Sequence, residues 1–535
     1  MSLSPDVAQP PAVQDDEPKV PLGRSGVILL VLSLASGAVT HAYNMFQYPL
    51  FQTDEGIYVQ QAWAVAQEGE LSPYTYFYDH APGGWLAMAA WVNLLPGQFQ
   101  AFGSEINTVR VLMLLVHVAV AGLLFGIVRR VSGSLTGAFL AAFIVNLSPL
   151  AIYYQRMALL DNLMVLWLLL AAYLLIRRER RVLTAVASGV AFGLAVITKE
   201  NAIFFAPALA FLAYRRARGT RNRRFLTAFW WFMLLVPALT YMLFAQLKSE
   251  LVPTGLNFDL AAPPAGRVSL LYTVWWQLNR TNEPGAFTAM LQGSWLSKDP
   301  YLLAGGVVAV VLVLALWWRD RAHRPEYLAV ALLAVGYLFY LGRGSVLLDF
   351  YVVPLIPVLA MNIGLVAAHL TRSFGPRLSA GVATVAVATA LAVPGGYLLT
   401  YNLEGELVTH DLYHLKLTGM QEEQIGYIRD NIPPDARIII DEDVWMGLHD
   451  RSPRYEFAHS HWKASSDPDV RDKIFGSDPA NIDYVAMSNR MREAMEGNNG
   501  DGRESWILTA IDERGEVVWE ASDGDIELQI YRIGE

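Results

Sequence analysis

Eleven long apolar stretches constrain the fold of this chain more than any other feature. Most have the roughly 17–25 residues that a membrane-spanning helix needs, although two of them are short. They lie at 25–45, 106–128, 134–152, 160–176, 182–198, 201–214, 225–245, 301–318, 326–342, 350–370 and 378–400. Only 17% of the 535 residues are charged, against about a quarter in soluble domains. The sequence therefore predicts a polytopic α-helical membrane protein with about eleven transmembrane helices.

Charge is divided unevenly along the chain. The first 400 residues contain 20 acidic and 27 basic side chains, whereas residues 401–535 contain 29 and 13. We predict a disordered cytoplasmic tail at 1–24, a transmembrane part at 25–400 with outer-face loops at 46–105 and 246–300, and an extracytoplasmic α/β domain at 401–535. The absence of cysteine excludes disulfide bonds, zinc–thiolate sites, iron–sulfur clusters and thiol catalysis.

Clusters of arginine follow alternate apolar stretches. They include "RRERR" at 177–181, "RRARGTRNRR" at 215–224 and "WWRDRAHR" at 317–324. If the stretches alternate across the membrane, every cluster falls on one side, and positive charge marks the cytoplasmic side. The sequence therefore predicts a cytoplasmic N-terminus, an extracytoplasmic C-terminal domain and a location in the plasma or inner membrane. Because topology explains the arginines, nucleic acid is not expected as a partner.

The same topology gathers ionisable residues on the outer face. Charged side chains at membrane depth are costly and are usually paired or functional. Two short segments near them, 55–67 and 82–96, are too short or too polar to span, and we expect them to form helices in the interface plane. The outer-face residues are Asp54, Glu55, Asp79, His80, Arg156, Asp161, Lys199, Glu200, Arg343 and Asp349.

The acids and the histidine of this set allow several roles. Asp54 and Glu55 follow Thr53, so they either complement a helix dipole or include a base that deprotonates an acceptor. His80 either donates to a phosphate, binds a metal or is a loop histidine without a task. A divalent ion held by Asp54, Glu55 and His80 stays open, although ordered ligand spacing is absent.

The cations of the set also allow two interpretations each. Arg156 either pairs locally with Asp161 or meets a phosphate. Lys199 pairs with an acid or holds an anion, since a buried lysine needs a partner. Arg343 either reaches to the interface or binds an oxyanion through its planar fork.

Carboxylates, cations and aromatic loops at a lipid-accessible surface suit one kind of ligand. It has a phosphate near the headgroup plane, an apolar tail in the bilayer and a polar group outside. A polyprenyl-phosphate-linked sugar meets all three conditions. The tyrosines expected to bind such a substrate are Tyr58, Tyr78 and Tyr351.

Five motifs carry a resemblance to a known family. They are "DEGIYVQQAW" at 54–63, "YDHAPGGW" at 78–85, "QRMALLDNLMVLWLLLAAYLL" at 155–175, "AVITKENAIFFAPAL" at 195–209 and "LGRGSVLLDFYVVPLIPVLAM" at 341–361. In order and sidedness they resemble the type-C (GT-C) membrane glycosyltransferases, in the branch of protein O-mannosyltransferases and the lipid A aminoarabinose transferase. The resemblance covers roughly 25–400, which would then be a catalytic GT-C domain.

The resemblance implies an activity and roles for residues. The family uses polyprenyl-phosphate sugars and inverts the anomeric carbon. Its first-loop acid corresponds to Asp54, its second-hairpin acid to Asp161, and its phosphate-binding lysine to Lys199. A lysine often precedes the prolines of the first-loop turn in the family, and His80 stands there in this chain. We therefore expect Asp54, Glu55 and Asp161 to be catalytic.

The C-terminal part has a soluble α/β pattern. A helix ending at Pro433-Pro434 is followed by predicted strands at 437–442, 482–488 and 505–512, and then by a hairpin turning near Asp523. The histidines of "HSHW" at 459–462 could ligate a metal, but a pair of loop histidines is the simpler interpretation. No catalytic motif stands out here.

These observations predict a glycosyltransferase that moves a sugar from a polyprenyl-phosphate donor to a lipid, glycan or protein acceptor outside the membrane. The alternatives are a polytopic transporter or lipid flippase with an outer accessory domain, and a binding or scaffold protein. A transporter is expected to place its charges near mid-membrane and to repeat its span pattern. Neither feature is evident in the sequence.

Overall fold

The structure is a computed structural model of the chain. It describes residues 22–76, 78–176, 181–218, 222–253, 269–279, 285–321, 324–343, 347–373, 412–413, 415–497 and 504–534. Most of the predicted tail and the predicted eleventh span, 378–400, lie outside these ranges.

Helices occupy the other ten predicted spans, which confirms a polytopic helical protein. Within the described ranges, six pass as membrane spans by length and apolarity alone, and a seventh passes if a pair bent by 64° at Ser148 counts as one. The helices are Arg24–Ala42, Glu105–Ser132, Leu135–Leu147, Pro149–Gln155, Leu160–Ile176, Arg181–Thr198, Ala206–Ala217, Arg223–Leu247, Pro300–Arg319, Pro325–Gly342 and 355–373.

Two of these helices expose apolar side chains along much of their length. Phe232, Leu239 and Leu243 of Arg223–Leu247 are exposed, and so are Val308 and Val311 of Pro300–Arg319. Exposed apolar surface of this extent marks contact with lipid or another protein. In a multi-pass membrane protein these faces meet the hydrocarbon of the bilayer.

Short helices connect the spans, and two of them match the predicted interface helices. Thr53–Trp63 begins with a capping box in which Gln52 and Glu55 satisfy each other's backbone N–H groups. Gly83–Asn93 follows the first-loop turn. The remaining short helices are Ala64–Glu68, Gln98–Gln100, Glu200–Phe205, Leu270–Asn279, Ala286–Met290, Leu291–Trp295, Leu296–Lys298 and Asp349–Val352.

The C-terminal part contains one mixed sheet. Its strands are β1 (Ile438–Ile440), β2 (Ala458–Ser460), β3 (Tyr484–Ser488), β4 (Gly515–Asp523) and β5 (Ile526–Ile533). The order is β2-β1-β3-β5-β4, with β1 parallel to β2 and β3, and β5 antiparallel to β3 and β4. The structure therefore has the predicted α/β domain and the predicted hairpin.

Helices cover the sheet, and one of them was predicted as a strand. Residues 505–512 belong to the helix Ser505–Arg514, which buries Ile507, Ala510 and Ile511. That spacing is helical, so the strand prediction was wrong because it ignored this period. The helices of this part are Thr418–Asn431, Glu442–His449, His461–Ser466, Pro468–Val470, Arg471–Phe475, Pro479–Asn481, Asn489–Gly497 and Ser505–Arg514.

The C-terminal domain is docked on the interface helix Thr53–Trp63. A Cβ on Gly56 would lie 2.4 Å from the carbonyl oxygen of Glu442, so only glycine permits this approach. Gln60 Nε2 donates to the buried Glu442 carboxylate at 2.6 Å. A second tie joins Arg451 to Glu105 at 2.9 Å between Nε and Oε1. The helix that carries Asp54 is thus held against the C-terminal domain.

Candidate active site

A cavity of about 430 Å³ opens between membrane helices beside the loop 78–82. Its walls come from Arg181–Thr198, Arg223–Leu247 and Leu270–Asn279. Most of the lining is apolar, including Val196, Ile203, Phe204, Met242, Val274 and Leu278. The polar lining includes Asp79, His80, Lys199, Glu200, Gln277 and Arg343.

Lys199 lies at the end of a membrane helix and is almost completely buried. The helix ends at Thr198, and Lys199 has an extended backbone before the turn Glu200–Phe205. Its Nζ lies 2.5 Å from Asp161 Oδ2 and 4.6 Å from the ring centroids of Phe350 and Tyr351. A buried ammonium group needs such compensation. Asp161 is therefore the partner that keeps a positive charge at the cavity.

His80 stands in the first-loop turn between two carboxylates. Its Nδ1 lies 3.0 Å from Glu200 Oε2, and its Nε2 lies 4.0 Å from Asp79 Oδ2. Burial lowers the pKa of the imidazole, but the Asp79 and Glu200 carboxylates outweigh it and raise the pKa to about 8. His80 therefore carries a positive charge at neutral pH.

Asp54 lies in the first turn of the interface helix and is half-buried. Tyr58 donates its hydroxyl to Asp54 Oδ1 at 3.0 Å. Burial raises the pKa of the Asp54 carboxyl to about 6, although the charge of Lys199 and the Tyr58 hydrogen bond lower it. A carboxylate with a pKa near neutrality is suited to act as a general base. The ring of Tyr58, which bonds Asp54, lies 6.1 Å from that of His80 between centroids, so Asp54 lies beside the cavity without lining it.

Arg343 and two of the predicted tyrosines line the cavity. The Arg343 guanidinium follows the helix Pro325–Gly342 and lies 4.9 Å from the ring centroid of Tyr340. Tyr78 donates its hydroxyl to Glu250 Oε2 at 2.7 Å, and Tyr351 packs beside Lys199. The structure thus brings most of the predicted residues together.

Five of the ten predicted site residues are absent from the cavity lining. Asp161 contacts the lining through Lys199, and Asp54 and Tyr58 lie beside His80. The other two lie elsewhere. Glu55 is fully buried and pairs with Arg110, whose Nη2 lies 2.7 Å from Glu55 Oε2. Arg156 donates to four backbone carbonyls, of which those of Tyr43 and Leu412 lie at 2.6 and 2.8 Å. Both side chains are engaged in holding loops together, and neither lines the cavity.

Some lining residues were missed from the sequence. Tyr241 contributes its hydroxyl, 2.7 Å from that of Tyr76, and Gln277 Nε2 donates to Asp79 Oδ1 at 3.2 Å. Tyr241 is one of the few side chains with a polar group in the apolar stretch 225–245, which was an available signal. Gln277 lies in a helix inside the predicted loop 246–300, and no sequence signal marked it as a site residue.

The residues do not form a metal site in the described part of the chain. No group of three or more His, Asp or Glu side chains among the residues described could hold a metal ion. Of the three residues considered for a divalent ion, Glu55 is committed to Arg110. We therefore derive no step through a metal.

Comparisons with known proteins agree with this geometry. Residues 86–245 match the family described as dolichyl-phosphate-mannose-protein mannosyltransferase. ArnT from Cupriavidus metallidurans, bound to undecaprenyl phosphate, is 16% identical with a TM-score of 0.58 over 95% of this chain and 98% of that one. The oligosaccharyltransferase AglB from Archaeoglobus fulgidus, in complex with an inhibitory peptide and a dolichol-phosphate, is 11% identical with a TM-score of 0.55 over 96% and 74%. Among curated sequences none matches.

The chain thus has the fold of the type-C membrane glycosyltransferases, which confirms the resemblance seen in the sequence. Within that fold, residues 86–245 match the mannosyltransferase family model. It is a multi-pass membrane protein. Neither comparison supports the transporter alternative.

Proposed function

We propose that this protein is an inverting glycosyltransferase that moves a sugar from a polyprenyl-phosphate donor to an acceptor on the extracytoplasmic face of the membrane. The observation that carries the proposal is the cavity itself. Its walls are apolar and belong to helices with lipid-exposed faces, while Lys199, Arg343 and His80 stand together at its lining. A lipid phosphate fits both properties at once. The family match and the lipid phosphates bound by ArnT and AglB support it.

The cations stabilise the leaving group. As the bond between the anomeric carbon and the donor phosphate breaks, negative charge develops on polyprenyl phosphate. Preorganised positive charge in a site with little water lowers the energy of that transition state. In this proposal Lys199 and Arg343 contact the phosphate, Asp161 positions Lys199, and His80 adds charge from the first-loop turn.

Asp54 activates the acceptor. The acceptor oxygen attacks the anomeric carbon from the face opposite the phosphate, its proton moves to the Asp54 carboxylate, and polyprenyl phosphate departs. The acceptor O–H bond and the C–O bond to the phosphate break, a new C–O bond and an O–H bond on the Asp54 carboxyl form, and the configuration inverts. Tyr58 holds the Asp54 carboxylate by a hydrogen bond, and Tyr78 and Tyr351 contact the sugar.

The orientation follows from the arginine clusters. We place the N-terminus in the cytoplasm, the domain from about 401 outside, and the protein in the plasma or inner membrane. The acceptor is a lipid, a glycan or a protein side chain. The catalytic part is then 25–400.

The test is binding and transfer by the purified full-length protein in nanodiscs. We expect undecaprenyl or dolichyl phosphate to bind, and Lys199→Met to weaken binding by about tenfold or more, since it removes a charge-assisted contact. Lys199→Arg should retain part of the lipid phosphate binding, because it keeps the positive charge. With a panel of polyprenyl-phosphate sugars, Asp54→Asn should bind donor normally and lose about 10²–10⁴-fold in transfer rate.

Two results would contradict the proposal. One is unchanged lipid phosphate binding in Lys199→Met. The other is full transfer activity in Asp54→Asn.

A further inference from the structure

A second cavity, of about 440 Å³, lies against the C-terminal domain. We call it the outer cavity. Its walls are the segment 68–76, the end of Arg223–Leu247 with Lys248 and Glu250 beyond it, and residues 459–474 of the C-terminal domain. Its lining is mostly polar. The cavity of about 430 Å³ described above, which we call the donor cavity, is mostly apolar.

Only one layer of side chains separates the two cavities. Tyr76 lines the outer cavity and lies 2.7 Å from both the His80 carbonyl oxygen and the Tyr241 hydroxyl of the donor cavity. Tyr78 lines the donor cavity, and its hydroxyl donates to Glu250 of the outer cavity. The two tyrosine rings contact each other with centroids 4.8 Å apart. A molecule in the outer cavity is therefore next to the donor site.

The charge of the outer cavity restricts what it can bind. One lysine, Lys248, faces five carboxylates around the lining. Carboxylates repel a phosphorylated ligand, whereas they accept hydrogen bonds from hydroxyl groups. Asp467 already accepts from backbone N–H groups and Asp469 pairs with Lys473, so Glu68 and Glu70 are the exposed acceptors. The five carboxylates belong to Glu68, Glu70, Glu250, Asp467 and Asp469.

A buried histidine in the lining gives an independent observation. His459 is 9% exposed, and its Nδ1 lies 3.2 Å from the Tyr74 hydroxyl. Its Nε2 has no hydrogen-bond partner among the residues that the structure describes. Burial lowers the pKa of His459 to about 4, so the ring is neutral. His459 therefore contributes a neutral, buried ring to the lining, which suits an uncharged ligand better than an anionic one.

We propose that the outer cavity binds the acceptor, and that the acceptor end is an uncharged, hydroxyl-rich glycan and not a phosphorylated group. The inference rests on the proposed function and names its acceptor class. Glu68 and Glu70 accept hydrogen bonds from the hydroxyl groups, and the rings of Tyr74 and Tyr76 offer flat faces for the sugar.

The experiment measures binding of soluble probes to the full-length protein in nanodiscs by saturation-transfer NMR. The probes are a panel of uncharged methyl hexosides and pentosides, mannose 6-phosphate, and a basic serine-containing peptide. We expect one or more of the methyl glycosides to bind. The double variant Glu68→Gln/Glu70→Gln should weaken this binding about fivefold to tenfold, because each loses a charged acceptor.

Glu520→Gln is the matched control. Glu520 is an exposed acid on β4, outside the cavity, and its variant should bind like the parent. The inference is overturned if no glycoside binds, if mannose 6-phosphate binds as tightly, or if the double variant weakens only the peptide. Undecaprenyl phosphate binding to the same preparations separates the two proposals. If the protein binds the glycoside but not undecaprenyl phosphate, the proposed donor site is contradicted. If it binds undecaprenyl phosphate but not the glycoside, only the proposed acceptor site is contradicted.

Discussion

The adjacent acids Asp54 and Glu55 have different surroundings and therefore different roles. Asp54 is half-buried beside Tyr58, whereas Glu55 is fully buried against Arg110. Neighbours on a helix point about 100° apart, so Asp54 contacts Tyr58 while Glu55 faces the helix Glu105–Ser132. The sequence marks the pair as unusual. It does not reveal the difference, because Arg110 comes 55 residues later and only folding brings it to Glu55.

We expect the raised pKa of Asp54 to set the acid limb of the pH profile. The carboxylate is the basic form, and its pKa is raised to about 6. The transfer rate should therefore fall about tenfold per pH unit below pH 6 and level off above it. Measuring kcat/KM from pH 4.5 to 9 checks this, and a limb centred near pH 4 would contradict it.

His80 should set the alkaline limb. Its pKa is raised to about 8, so its positive charge is lost above that pH. We expect the rate to decline above pH 8 in the parent and to stay flat there in His80→Gln, at a lower plateau. The same carboxylates stabilise the charged ring in the folded state, so their contribution to stability is full below pH 6.5 and disappears as the pH rises through about 8. An identical alkaline limb in both proteins would refute this role.

Glu55→Gln should act on stability. The Glu55–Arg110 pair is completely buried, and removing one charge of such a pair costs about 3–5 kcal/mol. Thermal unfolding in detergent should show a Tm several degrees lower, while the protein that stays folded retains its lipid phosphate binding. A folded variant of unchanged Tm that has lost activity would instead make Glu55 catalytic.

At the scale of elements, the predicted and observed helices agree where the apolar pattern is long. Ten predicted spans and both interface helices are helical in the structure. The agreement fails where elements are short, as at Ser505–Arg514, predicted as a strand, and at Leu270–Asn279, hidden in a predicted loop. A helix of ten residues gives fewer than three turns of pattern, so its period is difficult to recognise.

The contact between Gly56 and the helix Glu442–His449 gives a prediction for an element. Because a Cβ there would meet the Glu442 carbonyl at 2.4 Å, Gly56→Ala should push the interface helix off the C-terminal domain. We expect a loss of about 1–3 kcal/mol in stability and a lower transfer rate through the displaced Asp54. The matched control is Gly426→Ala, which has open space and lies inside a helix, and should stabilise by about 0.5–1 kcal/mol.

At the scale of the whole molecule, the sequence predicted which charged residues lie near one another better than it predicted which of them form ion pairs. The sequence grouped His80, Lys199 and Arg343 on one face, and the structure has all three in the lining of one cavity. The sequence could not place the outer cavity, because that cavity forms only where the segment 68–76 meets the C-terminal domain. Interfaces between distant segments depend on packing, which a linear pattern of charges does not encode.

The membrane orientation can be tested with single cysteines, since the chain has none. A membrane-impermeant maleimide should label Glu520→Cys in right-side-out vesicles. It should label Arg130→Cys, at the end of Glu105–Ser132, only after the membrane is opened. The positive-inside rule is the physical basis of this expectation. The opposite labelling pattern would invert the proposed topology.

The position of Tyr76 and Tyr78 between the two cavities affects how easily water can hydrolyse the sugar donor. Solvent that fills the outer cavity meets two aromatic rings before it reaches the donor cavity. Water is the competing nucleophile for any such donor. An enzyme that waits, fully loaded, for its second substrate would therefore waste little of its donor by hydrolysis.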